Sequence, residues 1–327
     1  MKKFLSISLA ILMIAISVFT FASCKKKTDD AINVSVLNGS TGFGMAYLME
    51  QNATSSTDNE YKFTVEKDAS IITAGLISGA VDIAALPTNA AANVYNATNG
   101  GVQIIAINTL GVLNIMQSGD GDRITSIKDL EGKTIYCPAQ NPAQILNYIL
   151  KKNGVTATVN TQFKAPADLV TAFMTGKTAD ESGAQIAIDI DIAVIPQPMA
   201  TQILNKKASA GYTLSLDLTE QWKLVSDQEL VQGCVVVRKA FADEFPGSVN
   251  SFLEEYEASI KFTNENHAKA AEYIVKYGIA NDAALAEQAI PKCNIAYYDG
   301  EEMEKKMQNF LDCLGINLKE GSFYYYK

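Results

Sequence analysis

The chain has 327 residues, 48% of them hydrophobic, and a net charge of -9, with only two arginines, Arg123 and Arg238. That length can bury a large core, in one domain or in two lobes. An acidic chain with scattered lysines offers no basic stripe for a phosphate backbone, which excludes nucleic acid as a partner.

Met1, Lys2 and Lys3 precede an apolar run from Phe4 to Phe21 that stops at Ala22, Ser23 and Cys24, the pattern of an export signal. The run approaches the length of a membrane-spanning helix, and its end separates the two readings. Small residues before a cysteine, then polar residues from Lys25 to Asp30, resemble the bacterial lipoprotein signal, with Phe21 where a leucine is usual. The expectation is that residues 1–23 are removed and that Cys24 carries palmitate-type acyl chains. These hold the protein at a membrane surface, with 24–31 as a polar tether.

Ile32, Val34 and Val36 alternate as a strand does, and Met45, Ala46, Leu48 and Met49 follow helical spacing. Between them Gly39, Gly42 and Gly44 form a loop at a helix N-terminus, where Ser40 and Thr41 are natural caps and free amides favour an acceptor or anionic group. The loop is not GxGxxG, and Glu60 lies in a polar stretch, so a dinucleotide site is set aside. From Asp68 to Gly79 a helix is expected, with Ile71, Ile72, Leu76 and Ile77 on one face. A buried strand over Val81 to Leu86 runs into Pro87, Thr88 and Asn89, and Ala90 to Tyr95 turns helical. Val102 to Met116 is a long β-like segment broken at Asn108 to Gly111, long enough to pass between lobes.

The second half repeats this logic. Ile127 to Lys133 is a turn, Thr134 to Cys137 a strand, and Pro138 to Asn141 a loop; Pro142 to Leu150 is a helix capped by Asn141. A helix over Ala167 to Thr175 leads to a buried strand, Ile186 to Ile195, ending in Pro196-Gln197-Pro198. Val231 to Val237 is the return strand. Beyond Arg238 the pattern is helical, with Phe241, Phe245, Val249, Phe252, Leu253, Tyr256 and Ile260 inward and Asp243, Glu254 and Glu255 outward. Alternating strands and helices predict parallel sheets covered on both faces, with ligands at the carboxyl ends of strands.

The remaining cysteines, Cys137, Cys234, Cys293 and Cys313, form no zinc pattern. A Cys293 to Cys313 disulfide is chemically allowed outside the cytoplasm, while free buried thiols suit a chain that needs no staple. His267, the single histidine, sits among Asn264, Glu265 and Asn266, which fits a solvated helix end better than a Ser/His/Asp triad.

Three segments carry a family resemblance: Gly79-Ala80-Val81-Asp82-Ile83-Ala84, Ile127-Lys128-Asp129-Leu130-Glu131-Gly132-Lys133 and Val235-Val236-Val237-Arg238-Lys239. They resemble the solute-binding proteins of ABC importers, in the group that includes the nitrate, taurine, alkanesulfonate and thiamine-pyrimidine binders. The resemblance implies an α/β, two-lobe periplasmic-binding-protein-like fold of type 2, two doubly wound sheets joined by a two-strand hinge. Lobe 1 would be 32–113 plus 236–327 and lobe 2 would be 114–235. It implies a cleft lined by Ser40, Thr41, Phe43, Thr88, Asn89, Asn108, Thr109, Gln140, Asn141 and Gln197, the last often a glutamate in the family. With no lysine or arginine among these loops, the expected solute is neutral and polar, such as a heteroaromatic ring packed on Phe43, or else weakly anionic. Trp222 and Tyr95 belong either to the cleft or to the core. The implied partners are an ABC permease and its ATPase, met by a monomer without cofactor on the outer face of a bacterial membrane. A signalling receptor as partner is the alternative, and an iron-dependent pyrimidine-synthase-like enzyme would need a histidine and cysteine cluster that this chain lacks.

Overall fold

A computed structural model of the chain describes residues 26–119, 121–139, 141–180, 182–207 and 211–327. The export signal, Cys24 and Gln140 lie outside the described residues. No helix among the described residues is long and apolar enough to cross a membrane.

The alternating run forms β1 (Ile32–Leu37), which buries Ile32, Val34 and Val36 on one face and Ser35 on the other. A short helix α1 (Ser40–Phe43), α2 (Ala46–Ala53), β2 (Tyr61–Glu66), α3 (Ala69–Ser78), β3 (Ile83–Pro87), α4 (Thr88–Ala97) and β4 (Val102–Thr109) follow. α3 is capped by Asp68, which accepts from the Ser70 amide, and it ends at Gly79 in the left-handed region. Of its expected apolar face, Ile72 and Leu76 are buried but Ile71 and Ile77 are more than half exposed. Adjacent residues stand about 100° apart around a helix, so neither pair fits wholly inside one stripe.

The chain then enters a second sheet through β5 (Leu113–Gln117), a 3-10 turn at Ile127–Leu130, β6 (Thr134–Tyr136), α5 (Asn141–Asn153) and β7 (Thr158–Asn160). It continues with α6 (Pro166–Thr175), β8 (Lys177–Ala179), β9 (Gln185–Ala187), β10 (Ile192–Pro196), α7 (Met199–Lys207), β11 (Thr213–Asp217) and α8 (Leu218–Lys223). The return is β12 (Gly233–Arg238), followed by α9 (Lys239–Glu244), α10 (Pro246–Glu265), α11 (His267–Lys276), α12 (Ala283–Ala289), β13 (Ile295–Tyr298) and α13 (Gly300–Leu314).

The first sheet has the order β13-β4-β12-β3-β1-β2 and the second β11-β5-β10-β6-β7. Both are mixed and not purely parallel: β12 runs antiparallel between β3 and β4, and β5 runs antiparallel to β10. The returning chain enters the first sheet as β12, between β3 and β4 and antiparallel to both. Its pairing begins at Gly233, so the expected division at residue 235 falls inside it.

Three further expectations are corrected. The segment 186–195 is not one buried strand: β9 pairs with β8 as an exposed hairpin outside both large sheets, and only β10 is core. The C-terminal part is not wholly helical, because β13 pairs with β4. Beyond β13 the tail covers the rest of that edge, with the Ile104 amide donating to the Phe323 carbonyl and the Tyr325 amide to that of Ile104. Finally, Glu255 is half-buried on α10 and accepts from the Tyr61 hydroxyl and the Asp58 amide.

Asp82 explains the first of the three sequence segments. Its carboxylate accepts from Arg238 at 2.7 Å and from the backbone and side-chain nitrogens of Asn33, and so joins β1, β3 and β12. The Arg238 amide in turn donates to the Asp82 carbonyl.

Asp82→Ala leaves Arg238 without its partner in a partly buried place, and a loss of about 3 kcal/mol is expected in urea unfolding. Burial raises the Glu255 pKa against the opposing effect of its two donors. Its contribution to stability is therefore complete below the ordinary glutamate value of about 4.3 and falls as pH rises through the higher folded value. Glu255→Gln should flatten the stability profile over that rise, measured by melting temperature against pH.

Candidate functional site

The two sheets meet where β4 passes into β5 and where the chain returns into β12. Both crossings carry a glycine that a side chain would disturb. A Cβ on Gly111 would lie 2.2 Å from Thr219 Oγ1, and one on Gly233 2.6 Å from Asn108 Oδ1. Gln232 ties the crossings together. Its backbone amide donates to the Thr109 carbonyl, its Oε1 accepts from the Val112 amide at 2.6 Å, and its carbonyl accepts from the Thr88 amide. The Val112 carbonyl then accepts from the Gln197 amide and from Asn114 Nδ2.

β1, β3 and β4 run in one direction, so Ser40, Thr88 and Thr109 follow or end strands on one edge of the first sheet. Asn141 and Gln197 follow β6 and β10, which pair in parallel at Tyr136 and Ala193. Polar side chains of both lobes are buried along this seam: Thr88, Asn89, Asn108, Thr109, Asn114, Asn141, Gln197 and Thr201 are each 5% exposed or less. A hydrogen bond between two of these side chains crosses it. Asn141 Nδ2 donates to Thr88 Oγ1 at 3.2 Å, and the Thr88 hydroxyl donates to the Val231 carbonyl. Asn141 Oδ1 is buried and has no hydrogen-bond partner among the described residues.

The remaining sequence-predicted residues divide. Asn108 Nδ2 donates to the Thr41 carbonyl and the Tyr256 hydroxyl while its Oδ1 accepts from Thr109, so this amide holds the α1 loop to β4. Ser40 is buried at the start of α1. Phe43 is fully buried in the apolar cluster with Val36, Leu48 and Tyr256, so its ring supplies no exposed stacking face. Trp222 and Tyr95 are core as well. Trp222, the only tryptophan, packs between Tyr148 of α5 at 4.6 Å and Phe310 of α13 at 5.7 Å between ring centroids. α13 lies against β4 of the first sheet, so this indole is wedged where the lobes join. The four described thiols, Cys137, Cys234, Cys293 and Cys313, are free, and burial pushes the first three well above the usual range. His267 is the first residue of α11.

Sequence reasoning missed Gln232, Thr201 and Lys292. Thr201 donates its amide and hydroxyl to Gln197 Oε1 at 3.3 and 2.8 Å. Lys292, at the end of the 3-10 turn Ile290–Lys292, donates from the first lobe to Thr201 Oγ1 at 3.4 Å. Beside it Asn205 of α7 donates to Gln288 of α12. Lys292 lies 91 positions from Thr201 in the chain, and nothing local marks either as a seam residue. The predicted lining residues include no lysine, but Lys292 reaches the residue that holds Gln197.

A family model described as NMT1/THI5 like matches residues 60–270. No curated protein matches the chain. Among solved structures, an ABC transporter protein from Parabacteroides distasonis is 20% identical with a TM-score of 0.70, over 91% of this chain and 100% of that one. The periplasmic aliphatic sulphonate binding protein SsuA from Escherichia coli is 12% identical, TM-score 0.67, over 87% and 91%. The periplasmic nitrate-binding protein NrtA from Synechocystis is 12% identical, TM-score 0.57, over 84% and 74%. At these identities the likeness is one of fold: a two-lobe α/β periplasmic binding protein of type 2 with two mixed sheets.

Gln232→Ala removes the acceptor of the buried Val112 amide, and a loss of about 2 kcal/mol is expected in denaturant unfolding.

Proposed function

The chain belongs to the NMT1/THI5-like family, and from that premise we propose that it is the extracytoplasmic solute-binding lipoprotein of an ABC importer. The observation that carries this reading is the seam. Both lobes bring uncharged amides and hydroxyls to the carboxyl ends of their strands, and they bury them against one another through the Asn141 to Thr88 bond. A solute entering between the lobes would exchange its water for these groups and hold the lobes closed, and the closed form is what a membrane permease would recognise. Amides and hydroxyls bind and orient without supplying an activated nucleophile, which favours a carrier over an enzyme.

The solute on this reading is small and polar, either a neutral heteroaromatic compound or a weakly anionic one, held by Thr88, Asn89, Gln140, Asn141 and Gln197. Cys24 would carry the lipid, with the permease and its ATPase as partners. The change of sheet at the two crossings supports two lobes close to the 32–113 plus 236–327 and 114–235 division, with the outgoing boundary before Leu113 and the return boundary at Gln232.

Trp222 makes the reading testable, because an indole between α5 and α13 senses relative movement of the lobes. Thermal unfolding and Trp222 fluorescence are measured against sulfonates, nitrate, thiamine precursors, flavins and nucleobases. A true solute at a thousand times its Kd should add about 4 kcal/mol of stability and change the emission. A panel that moves neither quantity argues against solute capture.

A further inference from the structure

The two amides at the seam are oriented by groups that cannot be reversed. The Thr201 backbone amide only donates, so Gln197 must turn Oε1 toward it. Lys292 Nζ also only donates, and it occupies the lone-pair side of Thr201 Oγ1, leaving that hydroxyl's hydrogen for Gln197. Gln197 Nε2 then makes no hydrogen bond among the described residues. On the neighbouring strand end the Val231 carbonyl only accepts and takes the Thr88 hydrogen, so Thr88 Oγ1 must accept from Asn141 Nδ2. Asn141 Oδ1 is left as an unpartnered acceptor on a side chain 4% exposed.

Each arrangement is a chain of hydrogen bonds, and members of such a chain polarise one another. Donation from Lys292 through Thr201 into Gln197 Oε1 makes Nε2 a stronger donor. Donation from Asn141 through Thr88 into the Val231 carbonyl makes Oδ1 a stronger acceptor. β6 and β10 are parallel neighbours, so Asn141 and Gln197 both follow the carboxyl ends of adjacent strands of the second sheet.

We infer that the seam selects a solute with an N–H donor beside a carbonyl acceptor. This is a cis-amide edge such as that of a lactam, a cyclic imide or a primary carboxamide. Lys292 is then a positioning residue that acts through Thr201 and Gln197. The inference rests on the solute-binding reading above and narrows it. An ionised sulfonate or carboxylate offers acceptors alone and would leave Asn141 Oδ1 unmet, while a cation without an acceptor would leave Gln197 Nε2 unmet.

The test is calorimetric titration of the detergent-solubilised full chain. The probes are uracil, nicotinamide, 1,3-dimethyluracil, N,N-dimethylnicotinamide, ethanesulfonate and nitrate. Uracil or nicotinamide should bind, and its methylated counterpart should bind about tenfold more weakly or less, the effect of leaving one buried acceptor unmet. Asn141→Leu should erase that ratio. Lys292→Met should weaken both members of the pair several-fold and keep the ratio, and Lys292→Arg, which still donates to Thr201, should restore the affinity; a merely structural role for Lys292 would shift the melting temperature without this selective loss and rescue. Should Asn141→Leu not fold, the wild-type ratio and the Lys292→Met pattern decide. Equal affinity within the pair overturns the inference. Binding of ethanesulfonate or nitrate in place of the amides overturns it and leaves solute capture standing. Binding of no probe overturns it too, and the Trp222 response to the wider panel judges solute capture separately.

Discussion

The junction of the lobes depends on Gln232. Its backbone amide, its side-chain oxygen and its carbonyl engage Thr109, Val112 and Thr88, so one residue of the returning crossing holds the outgoing crossing and the start of α4. Buried backbone groups at a crossing have no ladder to satisfy them, and an unmet one costs about as much as a lost hydrogen bond. Gln232 meets that requirement where regular pairing stops. The glycines at 111 and 233 let the crossings approach closely enough for it to do so.

With the crossings fixed, the seam follows from strand direction. Parallel neighbours in each sheet send their carboxyl-end loops to one edge, and the two edges face each other across the junction. The side chains there are amides and hydroxyls whose orientation is set by backbone donors, backbone carbonyls and one ammonium group. The result is a polar surface with a defined sense: Asn141, after β6, keeps an acceptor, and Gln197, after the neighbouring β10, turns its oxygen to Thr201. Trp222 packs on Phe310 and Lys306 faces Glu229, so the lobes are also joined through their apolar cluster.

Much of the fold was legible because periodicity reports burial directly. The runs at Ile32 and Val102 begin strands, the run from Val231 holds one from Gly233 to Arg238, and the aromatic face from Phe241 to Ile260 packs in the core. Errors arose where burial depended on partners elsewhere. Ile186 lies in an apolar run, yet its hairpin has no sheet to join and stands exposed. Ile295 to Tyr298 is four residues long, too short for a period to declare itself, and it becomes a strand because β4 offers an edge. Phe43 follows a glycine loop, which reads as a ligand's neighbour, but α1 turns the ring into the core.

The sequence by itself determined the alternation of strands and helices, the placing of Thr88, Asn141 and Gln197 after strands, and the acidic, arginine-poor surface. These follow from local pattern and composition, which need no partner to act. Only the tertiary structure decided that Asn141 donates to Thr88 and keeps an empty acceptor, that Gln232 joins the crossings, and that Lys292 reaches Thr201 from the other lobe. Those facts depend on contacts between residues from 53 to 120 positions apart, and no local spacing encodes which way a side-chain amide is turned.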